Sequence, residues 1–159
     1  MMPLSNFERM LQLAEDAFAT KQDPNQLDVD EKVIEHLKRL HPATISEYDD
    51  GHGPVVWILM IPTTTELMER FIHHTITEQE LLDLTPLDIK YEALYLCSAM
   101  VLDEYRNKGI AKRLTLEAIE NIRKDHPLKA LFVWPFSIEG EKLAETIAKS
   151  VSLPLVKRV

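Results

Sequence analysis

The stretch Val101-Leu102-Asp103-Glu104-Tyr105-Arg106-Asn107-Lys108-Gly109-Ile110-Ala111-Lys112-Arg113-Leu114 decides the fold. An apolar run over 92–101 enters it, with the pattern of a strand covered on both faces. A helical apolar period leaves it, through Leu114, Ala118, Ile119 and Ile122. Between them lies a short loop with Arg106, Lys108 and a lone Gly109. The chain has only four glycines, and two of the others sit together at Gly51 and Gly53. Glycine takes positive φ without cost and lets a backbone approach a ligand with no Cβ in the way. A strand, a glycine turn and a helix start make an anion site, because free N–H groups and the positive dipole end point into the loop. Lys108, Lys112 and Arg113 add formal charge there.

Working outward, residues 129–136 read as another buried strand, with Pro135 ending its ladder. A helix over 139–150 and a short strand over 152–157 complete that side. Upstream, residues 43–49 and 54–61 read as a hairpin around Asp50-Gly51-His52-Gly53. Residues 63–84 read as helical in two pieces, with Thr63/Glu66 and Thr77/Glu80 as capping boxes. The first 42 residues hold two helices, one opened by the Ser5/Glu8 box and one by Asp30, joined by a polar connector over 21–27. Along 92–101, strict alternation puts Ala93, Tyr95, Cys97, Ala99 and Val101 on one face and Leu94, Leu96, Ser98 and Met100 on the other.

At 159 residues with 45% hydrophobic and 28% charged content, the chain reads as a single globular domain over 1–159. No apolar run is long enough to span a bilayer, and the first residues read as an amphipathic helix rather than a signal peptide. A lone Cys97 agrees with a reducing compartment, so the expected location is cytoplasmic. The net charge of −8 argues against a nucleic-acid partner. His73-His74 cannot chelate as an i,i+4 pair, and no metal is expected. Trp57 and Trp134 read as core. The short strand over 152–157 leaves a sheet edge that suits a homodimer.

Arg106-x-x-Gly109-x-Ala111, with its strand before and helix after, resembles the Gln/Arg-x-x-Gly-x-Gly/Ala signature of the GNAT acyltransferase superfamily. The resemblance covers 93–122 well and extends to 155. It implies a mixed, mostly antiparallel α/β sheet flanked by helices and splayed between the 92–101 and 129–136 strands. Residues 63–90 would be a helical insertion, walling the acceptor side or adding core. The implied activity is transfer of an acetyl or other acyl group from acyl-CoA to an amine of a small molecule or peptide, with acetyl-CoA as co-substrate.

The resemblance also implies residue roles. Amides from Arg106 through Asn107, Lys108, Gly109, Ile110 and Ala111 to Lys112 would hold the diphosphate. Backbone near Met100, Val101 and Leu102 would pair with the pantetheine arm, and a strand N–H near Ala99 to Val101 would face the oxyanion. Related enzymes often carry a glutamate early on the central strand; Tyr95 falls near that position, with Glu92 close by. Ser137 is the nearest substitute for a usual asparagine. The usual late tyrosine is missing, since none follows Tyr105. That loss favours the alternative of a non-catalytic acyl-CoA-binding or regulatory module.

Overall fold

The computed structural model describes residues 4–16, 27 and 30–159 in full and residues 17–21 by their backbone. Most of the expected 21–27 connector, and the side chains of Ala17 and Phe18, lie outside the described residues. The apolar run of β2 (Pro54–Thr63) is buried along nearly its whole length, which puts it inside the sheet. It pairs antiparallel with β1 (Ile45–Asp49) on one side and with β3 (Ala93–Val101) on the other. Beyond β3, β4 (Ala130–Val133) and β5 (Leu155–Lys157) add in parallel, giving the order β1-β2-β3-β4-β5. The antiparallel ladders are long and the parallel ones short. This is the mixed, mostly antiparallel sheet expected, with helices on both faces.

Each face is sealed by its own set of helices. α2 (Glu31–Leu40), α3 (Thr65–Ile72) and α4 (Glu78–Leu84) cover one face through Leu37, Phe71, Leu81 and Leu82. α1 (Asn6–Lys21), α5 (Ile110–Asp125) and α6 (Ile138–Val151) cover the other through Met10, Ile119, Ile122 and Ile147. Phe71 is fully buried and meets Tyr95, Phe132 and Trp134 edge-on. Arg158 is also buried there, its guanidinium 4.6 Å from the Phe71 ring centre and 4.2 Å from that of Trp134.

Local chemistry sets the helix starts. Asp30 caps α2 through the Val33 amide, and the expected box at Thr77 and Glu80 forms in both directions on α4. The expected Thr63/Glu66 box does not form: Thr63 is still strand, and its buried hydroxyl pairs with Thr85 at 2.7 Å. Thr64 is the cap instead, accepting from the Leu67 amide. At Ser5 only half a box forms: the Ser5 oxygen accepts from the Glu8 amide, but the Glu8 carboxylate accepts from the Ser5 hydroxyl rather than from the cap amide.

A larger departure lies on β3. Leu59 pairs with Ser98, but Met60 pairs with Leu96, so Cys97 is an extra residue on β3. Cross-strand partners share a face. Beyond this bulge Ser98 therefore joins the Leu59 face and Ala99 the Ile58 face. The strict alternation expected along the strand is reversed from Ser98 onward.

Candidate functional site

β3 and β4 pair only at Ala93/Ala130, Leu94/Leu131 and Tyr95/Phe132. The ladder stops immediately before the Cys97 bulge, as expected where an extra residue bends one strand and raises its twist. From Leu96 to Val101, β3 has β2 on one side and no β4 partner on the other. The expected 129–136 strand is shorter than its apolar run: β4 ends at Val133, and Trp134-Pro135-Phe136 makes no ladder. The splay lies between the two strands expected to part, and a groove of about 620 Å³ fills it.

The groove's walls come from several elements. Leu96 to Met100 form one side, Val133 to Ser137 the opposite one, and Leu143, Ala144 and Ile147 of α6 close the flank. Thr115 of α5, Leu13 and Asp16 of α1, and Ile58 to Met60 of β2 complete it. Arg106 lines the groove and is thereby the link to the glycine loop.

That loop is held from outside. A turn of 3-10 helix, Asp103–Tyr105, follows β3. The Tyr105 hydroxyl donates to Asp50 at the β1–β2 hairpin tip, and Asn6 donates to the same carboxylate at 3.1 Å. The bond from Tyr105, foremost, holds the Asp50 carboxyl below its usual range, and the same bond pushes the Tyr105 phenol up. Arg9 of α1 pairs with Glu104 at 2.6 Å. Thus the first helix and the hairpin tip fix the base of the loop.

The chain then takes left-handed backbone twice, at Asn107 (φ 60) and Gly109 (φ 76), residue types that tolerate it best. Gly109 is the N-cap of α5, with no side-chain cap bond, and a Cβ there would meet nothing within 4 Å. The first α5 backbone bond runs from Arg113 N to Gly109 O. The amides of Ile110, Ala111 and Lys112 thus precede the helical ladder. Lys108 rests over the Tyr105 ring at 5.5 Å, and Arg106 pairs with Asp103 at 3.4 Å while remaining more than half exposed. The expected open, amide-rich, cationic turn is present.

No protein-family model and no curated protein matches the sequence. A solved structure resembles the fold. It is described as "The NatB Acetyltransferase Complex Bound To bisubstrate inhibitor", and the matching chain is 16% identical with a TM-score of 0.49. The match covers 84% of this chain and 66% of that one, so the chain spans slightly less than two thirds of that length.

The structure separates the remaining sequence candidates. Met100 lines the groove. Val101 pairs with Val56, and Leu102 is buried with its amide donating to Val55 O and its carbonyl accepting from Tyr105 N. Leu102 therefore has no amide to offer a ligand. Ser137 lines the groove, but its oxygen caps α6 by accepting from the Gly140 amide at 3.0 Å; its hydroxyl proton is the part left to donate.

Tyr95 and Glu92 stand apart from the groove. The Tyr95 ring is stacked on Phe132 at 5.0 Å, and its hydroxyl donates to buried Glu78 at 2.5 Å. Burial, then the Glu78 charge, pushes that phenol well above its ordinary value. Glu92 pairs with Lys129 at 2.9 Å, at the closed end of the split. Nine residues of strand lie between it and the loop, about 30 Å at the rise of a strand. Residues 63–90 contribute no wall to the groove; α3 and α4 pack as core.

The groove also holds residues that the sequence does not single out for a role there. Asp16 is the one carboxylate among the described lining residues, and Trp134 presents part of itself to the groove rather than only to the core. The helical period of α1 places Asp16 two residues after Ala14, on its polar side, which reads as an ordinary solvated position.

Proposed function

We propose that this chain binds an acyl-CoA thioester along the β3–β4 split and passes the acyl group to an amine. One observation carries the reading. The ladder ends where β3 bulges, and the opening runs to Arg106 of the loop whose glycine precedes three amides outside the helical ladder. A diphosphate suits those amides and the charges of Arg106, Lys108 and Lys112. The amide-rich pantetheine arm suits the β3 edge from Leu96 to Met100, as an added strand.

The chemistry then follows from what the walls offer. The amine lone pair attacks the thioester carbon, and the carbonyl oxygen takes up negative charge. A main-chain N–H of β3 near Ala99 to Val101 is the donor for that oxygen. The C–N bond forms, the C–S bond breaks, and the departing thiolate takes up the proton that the nitrogen sheds. A thiolate is a tolerable leaving group without a dedicated acid. Asp16, which also accepts from Gln12 at 3.0 Å, would draw in the acceptor as its ammonium, which gives one proton to water before the neutral amine attacks.

Calorimetry with coenzyme A and acetyl-CoA tests the first half; no binding by the wild-type chain removes the reading. Thiol release over a panel of amines tests the second half, and Asp16→Asn should slow it more than it weakens coenzyme binding. A second reading, binding without turnover, is favoured by the position of Tyr95 and Glu92 away from the groove. Tight coenzyme binding with silence across polyamines, amino acids and peptides would select it.

A further inference from the structure

We propose that the acyl group accepted here is an unbranched apolar chain of the hexanoyl-to-octanoyl class rather than acetyl; this rests on the acyl-CoA reading above. A thioester lying in the split needs walls only from β3, β4, α5 and α6. The groove reaches further, under α1 to Leu13 and across β3 to Ile58 and Met60 of β2. It does so where the Cys97 bulge shifts the β2–β3 register and where Ala99, which shares the face of Ile58, is small. The floor of this wing, beside Leu96 and Ile147, is apolar, while exposed Asp16 of α1 lines the groove with Leu13.

The distribution of charge fixes which end of the ligand goes where. Arg106 lines the groove, and the amides of Ile110 to Lys112 follow it in the same loop and suit a diphosphate. An amide or ammonium placed over Ile58 and Met60 would lose water without gaining a partner. An alkyl chain gains from the same surface. An acetyl group would leave the wing's apolar floor uncovered. Chain length does not alter the bonds exchanged: the thioester C–S bond breaks, the amide C–N bond forms, and the thiolate takes the nitrogen's proton.

The test is a calorimetric series on the wild-type chain with coenzyme A and its acetyl, butanoyl, hexanoyl and octanoyl thioesters. Affinity should rise by up to about fourfold for each added methylene until the wing is filled. Ala99→Leu puts a larger side chain into the groove from an exposed position, and should flatten the series. Hexanoyl-CoA binding no tighter than acetyl-CoA, with coenzyme A itself bound, would overturn this inference and leave the acyl-CoA reading standing. No binding of any member would overturn both. A series that stays steep in folded Ala99→Leu would place the chain elsewhere and also overturn the inference. If that variant does not fold, the wild-type series alone decides.

Discussion

Gly109 is where conformation and binding can be separated by mutation. It holds φ 76, and a methyl group on its Cα would meet nothing within 4 Å, so alanine brings no clash. Its cost is the left-handed backbone alone, about 1–2 kcal/mol. For a chain of this size that lowers Tm by about 2–8 °C. The same open space is where a phosphate would approach the amides of Ile110 to Lys112. A Cβ there that displaces one charge-assisted hydrogen bond removes about 1.5–3 kcal/mol of affinity, a tenfold to hundredfold rise in Kd. Gly51→Ala is the matched control: it also has positive φ (99) and open space, but it lies at the hairpin tip. Gly109→Asn is the second control, because asparagine tolerates this backbone yet keeps the obstruction. The assay pairs thermal melts with calorimetry against coenzyme A. The expected pattern is lower Tm in both alanine variants, with weakened binding only at position 109, in asparagine as in alanine. Unchanged coenzyme affinity in both Gly109 variants would refute the placement of the diphosphate.

Other perturbations test the frame around the groove. Cys97 lines the groove and is in no disulfide, so saturating coenzyme A should slow its alkylation; mass spectrometry reads this single thiol, and equal rates would place the ligand elsewhere. Thr77→Ala removes the side-chain arm of the α4 box, leaving the residue-77 amide its bond to Glu80, and should cost about 1 kcal/mol, seen as a lower urea midpoint. Phe71→Ala empties the centre of the aromatic cluster and should cost about 3–5 kcal/mol, lowering Tm far more than the cap does. Burial, and then His41 and Lys90, hold the His126 imidazole below its ordinary 6.5. The unfolded chain therefore binds that proton first, and stability present above pH 6.5 falls as pH drops through 6.5 toward the lower folded value. His126→Gln should flatten the urea midpoint across that window; an unchanged slope would assign it to another group.

The β3–loop–α5 unit is legible in the sequence because every local signal there agrees: a two-faced apolar run, one glycine, then a helical period. Caps are legible where the residue is unambiguous, as at Asp30 and Thr77. Between adjacent Thr63 and Thr64 composition gives no preference, and the ladder claims the first. The apolar run overstates the length of β4 because Trp134 and Phe136 are as apolar as strand residues, yet pack on each other at 4.5 Å beside the groove. The Tyr95 hydroxyl cannot be placed from sequence, since its partner Glu78 comes from α4. Asp16 is hidden for the opposite reason: it lies outside the segment that resembles anything, at a position where solvent is the ordinary expectation.

The least legible feature is also the one that makes the groove. A strand apolar on both faces hides a one-residue slip, because reversing its faces changes no polarity pattern. Cys97 is such a slip. Had the β2–β3 register run on, Ala99 would share the face of Tyr95 and Ser98 that of Leu94, and nothing would bend β3 as it passes Phe132. The split therefore follows from one extra residue, while the anion-ready turn follows from Gly109, further along the chain. These are independent local events, and the hairpin tip brings them into register: Asp50 binds Tyr105 and Asn6 while Arg9 binds Glu104. Loosening that clamp with Asp50→Ala should leave the bulge and the glycine intact yet separate the amides from the groove. Coenzyme affinity should then fall with little change in the melting of the sheet. A variant that melts early but binds coenzyme normally would show that the clamp serves stability alone.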